Sequence, residues 1–128
     1  MGRRITFFDF VPARERKRRE EEFFRRSFPF GEQQKEKEEE LLCALFPGKD
    51  RTSLLYNVLT LKDALREEET REEAIAYWKK DKLTQDLTPQ EQERMIRYTF
   101  KSLATRSLED YPDAGEAEAW LEDTTEGG

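Results

Sequence analysis

The sequence predicts an all-α fold: a small irregular helical bundle of three to five helices, with an extended N-terminal arm and an acidic C-terminal tail. Three observations predict it. Charged residues make up 41% of the 128 residues and hydrophobic ones only 35%, against about 25% and about 45–50% in ordinary globular domains. Such a chain has a thin core and suits helices with charged outer faces. Only two valines and three isoleucines are present, too few of the β-branched residues that sheets favour. Finally, apolar residues recur at helical spacing from Leu54 onward, behind recognisable helix starts.

Residues 1–31 form the first segment, a Phe-rich basic arm. It holds seven of the nine phenylalanines, in "ITFFDF" and "FFRRSFPF", on either side of "ARERKRREEE". Ala13 to about Arg26 is built of strong helix formers but is polar nearly all round, as a solvated helix or one that forms on a partner would be. Pro29 and Gly31 then break the chain.

Residues 32–106 read as the helical domain. A helix runs from Glu32 to about Phe46, with Leu41, Leu42, Leu45 and Phe46 at its end and Pro47-Gly48 as its stop. Asp50 or Thr52 can cap the next helix, in which Leu54, Val58, Leu61 and Leu65 recur at i, i+4, i+7 and i+11, flanked by Leu55 and Leu59. Thr70 and Glu73 fit a capping box ahead of a short helix with Ala74, Ile75 and Trp78, ending near "KKDK". Thr88, Pro89 and Glu91 fit a second box. The helix it starts extends to about Thr105 and puts Met95, Ile96, Thr99, Phe100 and Leu103 on one predicted face. Residues 107–128 are an acidic tail, expected to be partly disordered, in which "AGEAEAWLED" can add a helical turn that docks Trp120 and Leu121.

Charge divides along the same lines. The arm holds nine basic and five acidic residues, the domain fourteen and sixteen, and the tail eight acids with no base, for a total of −6. The basic arm can therefore lie against the acidic tail, meet an acidic partner or pair with phosphate.

Enzyme chemistry finds little to work with. Histidine is absent and Cys43 stands alone, so histidine triads and single-chain zinc clusters are excluded. Cys43 sits in "LLCALF" and reads as a buried, inert thiol, consistent with a cytoplasmic location. The carboxylate runs Glu38–Glu40, Glu67–Glu69 and Glu72–Glu73 read as solvated helix faces, with nothing to split their pKa values. "PGKDRTS" lacks the glycine spacing of a phosphate loop. No catalytic, cofactor-binding or metal-binding residue is assigned, and no small-molecule substrate is evident. No apolar stretch approaches the roughly 18 residues that span a bilayer. Asp9 and the charges after it leave the basic N-terminus without the apolar region of a secretory signal.

Two short resemblances bear on function. "LTPQEQERMI", Leu87 to Ile96, resembles the opening of the DNA-reading helix-turn-helix of LuxR-type regulators, which implies a recognition helix downstream. The likeness covers about ten residues, and "RYTFKSLATRSLEDYPDAG" carries no clear turn glycine and no basic helix. Arg4-Ile5-Thr6-Phe7 looks like the basic-aliphatic-x-aromatic motif that docks on protein phosphatase 1.

The leading expectation is a non-enzymatic intracellular interaction protein, an adaptor, regulator or inhibitor, that binds a protein partner or itself through the arm. Phe7, Phe8, Phe10, Phe23, Phe24, Phe28 and Phe30 supply apolar anchors, while Arg16, Lys17, Arg18 and Arg19 supply charge, since aromatics and arginine are enriched at interface hot spots. The alternative is a nucleic-acid-associated accessory protein using the same arm on phosphates, or an acidic inhibitor of a nucleic-acid enzyme. A membrane partner is not expected, because the basic helix has little apolar face. Equally open is that the phenylalanines fold back and complete the thin core of their own domain.

Overall fold

A computed structural model describes residues 13–123. They are helical, without strands among the described residues: α1 Ala13–Ser27, α2 Glu32–Leu45, α3 Arg51–Glu67, α4 Arg71–Lys79, α5 Lys82–Gln85, α6 Pro89–Ala104 and α7 Ala117–Glu122. Two 3-10 turns, Leu108–Asp110 and Ala114–Glu116, join α6 to α7.

The helix starts follow from local chemistry. Gly31 precedes α2 with φ of 92°, and Gly48 turns the chain between α2 and α3 with φ of 86°, conformations that a β-carbon disfavours. Of the two candidate caps for α3, Asp50 performs the role: its carboxylate accepts from the Ser53 N–H at 2.9 Å. Both capping boxes form, at Thr70 and Thr88, each with its glutamate reaching back to the cap N–H.

The helix count exceeds the predicted three to five, with seven α-helices among the described residues. The "KKDK" stretch that ends α4 also restarts the chain, because Asp81 accepts from the Leu83 N–H at 2.9 Å and caps α5. The remaining addition is α7, in the acidic segment.

Helix α3 lies at the centre, packed against α2, α4 and α6. Leu54, Leu55, Val58 and Leu61 are buried there against Leu41, Leu42, Leu45 and Phe46 of the α2 end, Trp78 of α4 and Met95 and Tyr98 of α6. The Trp78 indole donates to the Asn57 carbonyl at 3.2 Å, and Thr84 of α5 donates to Asn57 Oδ1 at 2.9 Å. Asn57 thus locks α4 and α5 onto α3. The core also takes Phe28 from the arm and Tyr111, Ala117 and Leu121 from the acidic segment.

Two expectations about faces need correction. Helix α6 buries Met95, Tyr98, Thr99, Lys101 and Ser102, while Leu103 is 47% exposed and Phe100 half-buried under the Arg71 guanidinium, 4.8 Å from its ring. The helix is turned so that polar groups face inward, toward a carboxylate on α2. Cys43 is half-buried, because the inward stripe of α2 runs through Gln34, Glu38, Leu41, Leu42 and Leu45 and passes beside it.

Candidate functional site

Helix α1 is joined to the bundle near its C-terminal end. Phe24 packs on the core half-buried, its ring 5.2 Å from that of buried Phe28, and Phe30 packs alongside. From residue 14 to residue 22 every described side chain is exposed or half-buried. Lys17 and Arg18 are exposed and Arg19 is half-buried. Arg18 pairs with Glu15 and, at 3.3 Å, with Glu22; Arg19 lies 3.8 Å from Glu15. The hydrogen bond from Arg18, followed by the charges of both arginines, holds the Glu15 carboxyl below its usual range. The basic stretch therefore carries part of its own counter-charge at helical spacing.

The seven aromatic anchors separate into groups. Phe28 belongs to the core, Phe24 and Phe30 to its edge, and Phe23 is half-buried with the Arg26 guanidinium 5.9 Å from its ring. Phe7, Phe8, Phe10 and the side chain of Arg16 lie outside the described residues, as does Arg4-Ile5-Thr6-Phe7.

Beside Phe23 the surface dips into a groove of about 500 Å³ between α1, α3 and α4, lined by Leu59, Ala64, Glu67, Glu68 and Tyr77 among others. At the base of α1 lies a polar network that residue type alone does not reveal. Glu38, expected to belong to a solvated run, is 0% exposed, and Lys62 is 3% exposed. Lys62 Nζ donates to Glu38 Oε2 at 3.0 Å and to the Ser27 carbonyl at 3.3 Å. Glu38 Oε2 also accepts from Gln34 at 3.0 Å, Ser102 at 2.9 Å and Tyr111 at 2.8 Å. Gln34 in turn accepts from the Phe30 N–H at 2.8 Å and donates to the Tyr111 hydroxyl at 2.9 Å. One carboxylate therefore ties together the end of α1, α2, α3, α6 and the acidic segment.

Burial depresses the Lys62 ammonium, against the opposing pull of Glu38. Burial and then the Glu38 charge push the Tyr111 phenol up to about 12, and the same causes raise Tyr98 well above its ordinary value. The Tyr98 hydroxyl is buried with no hydrogen-bond partner among the described residues. A signal for this network was present: the leucine stripe of α2, extended backward from Leu41 and Leu45, lands on Glu38 and Gln34.

The acidic segment reaches the bundle through Asp113, 3.5 Å from Lys37, and through Glu118, paired with Arg94. Arg94 also donates to the Leu45 carbonyl at 3.2 Å. These contacts lie on α2 and α6. Trp120 stacks edge-on to Tyr98 at 5.8 Å with Lys101 at a similar distance over its ring. The stretch resembling a helix-turn-helix opening forms the start of α6, which continues unbroken to Ala104 and is followed by an acidic 3-10 turn.

Among the described residues no group of three or more cysteine, aspartate or glutamate side chains is placed to hold a metal ion, and no helix is long and apolar enough to cross a membrane. In comparison with known proteins, the chain matches no family model, no curated protein and no solved structure.

Proposed function

We propose that the protein is a non-enzymatic interaction protein that contacts a protein partner through its Phe/Arg-rich N-terminal arm, with α1 as the presenting element. The observation that carries this reading is the one-ended attachment of α1. Phe24 and Phe28 hold its base, while the described side chains of residues 14–22 contribute nothing to the core. A polar helix of this kind gains little from its own packing, and it offers Lys17, Arg18 and Arg19 to an acidic surface. Phe23, half-buried at the edge, adds an aromatic contact. The pairing of Arg18 and Arg19 with Glu15 and Glu22 supports a protein over a phosphate backbone, because a mixed-sign helix face neutralises few phosphates. An intracellular, cytoplasmic setting belongs to the same reading, supported by a single cysteine that leaves no internal disulfide.

The test is recovery of partners from an extract of the source organism with the wild-type chain and with Lys17→Glu/Arg18→Glu. Both positions are exposed, so thermal unfolding should agree between the two proteins to within a few degrees. A partner enriched by the wild type should fall by on the order of tenfold with the variant. Equal recovery by both proteins rejects the arm as the contact. Loss of the partner on nuclease treatment moves the reading to nucleic acid.

A further inference from the structure

We infer that the groove between α1, α3 and α4 is a docking site for a short basic segment of a protein partner, one that carries aromatic or aliphatic side chains beside its arginines or lysines. The inference deepens the reading of α1 as a contact element, since Phe23 belongs to both surfaces.

The apolar part of the argument starts from exposure. Three large hydrophobic side chains are exposed among the described residues, Tyr56 at 47%, Tyr77 at 61% and Leu103 at 47%. Both tyrosines line this groove, over a floor of Leu59 and Ala64 and against Phe23. A thin-cored protein with few apolar residues to spare has placed two of its exposed rings at one depression.

The electrostatic part selects the occupant. Asp63, Glu67 and Glu68 line the groove along the last turns of α3. The free carbonyls of a helix C-terminus add negative partial charge there. Arg66 meets Asp63 at 2.7 Å, but Glu67 and Glu68 have no ion pair among the described residues. The nearby Arg71 is turned away, onto the Phe100 ring. An acidic lip over aromatic rings suits a guanidinium, which pairs with carboxylates and stacks on tyrosine faces. Arg26, 5.9 Å from the Phe23 ring, is a cation beside the α1 wall, but the three carboxylates outnumber it, so the groove disfavours a nucleic-acid backbone or an anionic membrane.

The experiment uses the full chain and fluorescence anisotropy of a labelled twelve-residue probe peptide that alternates arginine with leucine or phenylalanine. A counterpart with every arginine replaced by glutamate serves as the comparison. Saturable binding of the basic probe is expected, with no binding of the acidic one. Glu67→Lys/Glu68→Lys should weaken it by on the order of tenfold, and Tyr77→Ala by several-fold, with melting unchanged because these side chains are exposed or half-buried at the surface. Lys17→Glu/Arg18→Glu makes α1 more acidic and should not weaken probe binding, whereas it should lose the arm's partner, so failure of the groove and failure of the arm read out separately. Absence of saturable binding, or binding indifferent to the Glu67/Glu68 and Tyr77 changes, overturns the inference. Two further results overturn it in favour of another occupant. Tighter probe binding by more than about tenfold in Phe8→Ser/Phe10→Ser assigns the groove to the chain's own first residues. A concentration-dependent dimer abolished by Glu67→Lys/Glu68→Lys assigns it to a second copy.

Discussion

A carboxylate taken out of water loses several kcal/mol of hydration, which an ion pair and a full set of donors must replace. Glu38 obtains both, from Lys62, Gln34, Ser102 and Tyr111. Lys62 is satisfied in the same manner by Glu38 and the Ser27 carbonyl, with the Phe28 ring 5.4 Å away. Removing one charge strands the other in the core. Lys62→Met should therefore destabilise the protein by about 3–5 kcal/mol. Glu38→Met/Lys62→Met, which leaves no buried charge, should lose less than the sum of the two single changes, by a coupling on the order of 2–3 kcal/mol. Urea unfolding at neutral pH of the wild type, both single variants and the double variant measures this. Additive losses would show that the two charges do not depend on each other.

Helix boundaries were legible where a capping box or a leucine repeat marks them, but not at Asp81, whose single bond from the Leu83 N–H starts α5 inside a lysine-rich stretch. Thr70 and Thr88 open their helices by capping boxes, and the leucines of α3 place that helix at the centre by spacing alone. What escaped was the rotation of α6, since hydropathy pointed to Phe100 and Leu103 while the buried face carries Tyr98 and Ser102. Polar residues at core positions look like surface until their partners are known, and the partner here lies 64 residues away from Ser102 on α2. The candidate site divides likewise. Phe23 and the exposed cations were legible from residue type, whereas the core role of Phe28 depends on α3. The segment after α6 has a pH signature of its own. Tyr111 sits at about 12 in the fold against an ordinary 10, so the folded protein holds its proton more tightly than the unfolded chain. The associated stability is complete below pH 10 and is lost as pH rises toward about 12, a loss of about 3 kcal/mol at 1.36 kcal/mol per pKa unit. Lys62 acts in the other sense: its depressed value lowers stability at lower pH, a penalty relieved as pH approaches the ordinary lysine value of 10.5. Urea midpoints should thus fall steeply through the tyrosine window, and less steeply in Tyr111→Phe, where only Tyr98 keeps the effect. Identical slopes in the two proteins would dismiss the linkage.

At the scale of the whole molecule, a chain with 35% hydrophobic residues closes its core by drawing on both of its charged ends. The arm contributes Phe28; the acidic segment contributes Tyr111, Ala117 and Leu121 and leans Trp120 on Tyr98. Apolar burial of this kind is worth about 1.5–3 kcal/mol per large side chain, against about 5–15 kcal/mol for the net stability of a domain. Packing therefore outweighs the ion pairs of Asp113 and Glu118, whose exposed geometry contributes at most about 1 kcal/mol each. Two variants separate packing from charge. Stopping the chain after Arg106 removes Tyr111 and Leu121, along with their contacts to Gln34, Glu38 and the α2 core, and should abolish the cooperative thermal transition. Glu109→Lys/Glu116→Lys/Glu122→Lys alters three exposed acids. Each change adds two charges, so together they bring the formal net charge from −6 to zero, and this variant should still melt cooperatively within a few degrees of the wild type. If the truncated chain melts as the wild type does, the acidic segment is an appendage of the bundle; if the charge-reversed chain fails to fold, electrostatic attraction rather than burial holds it in place.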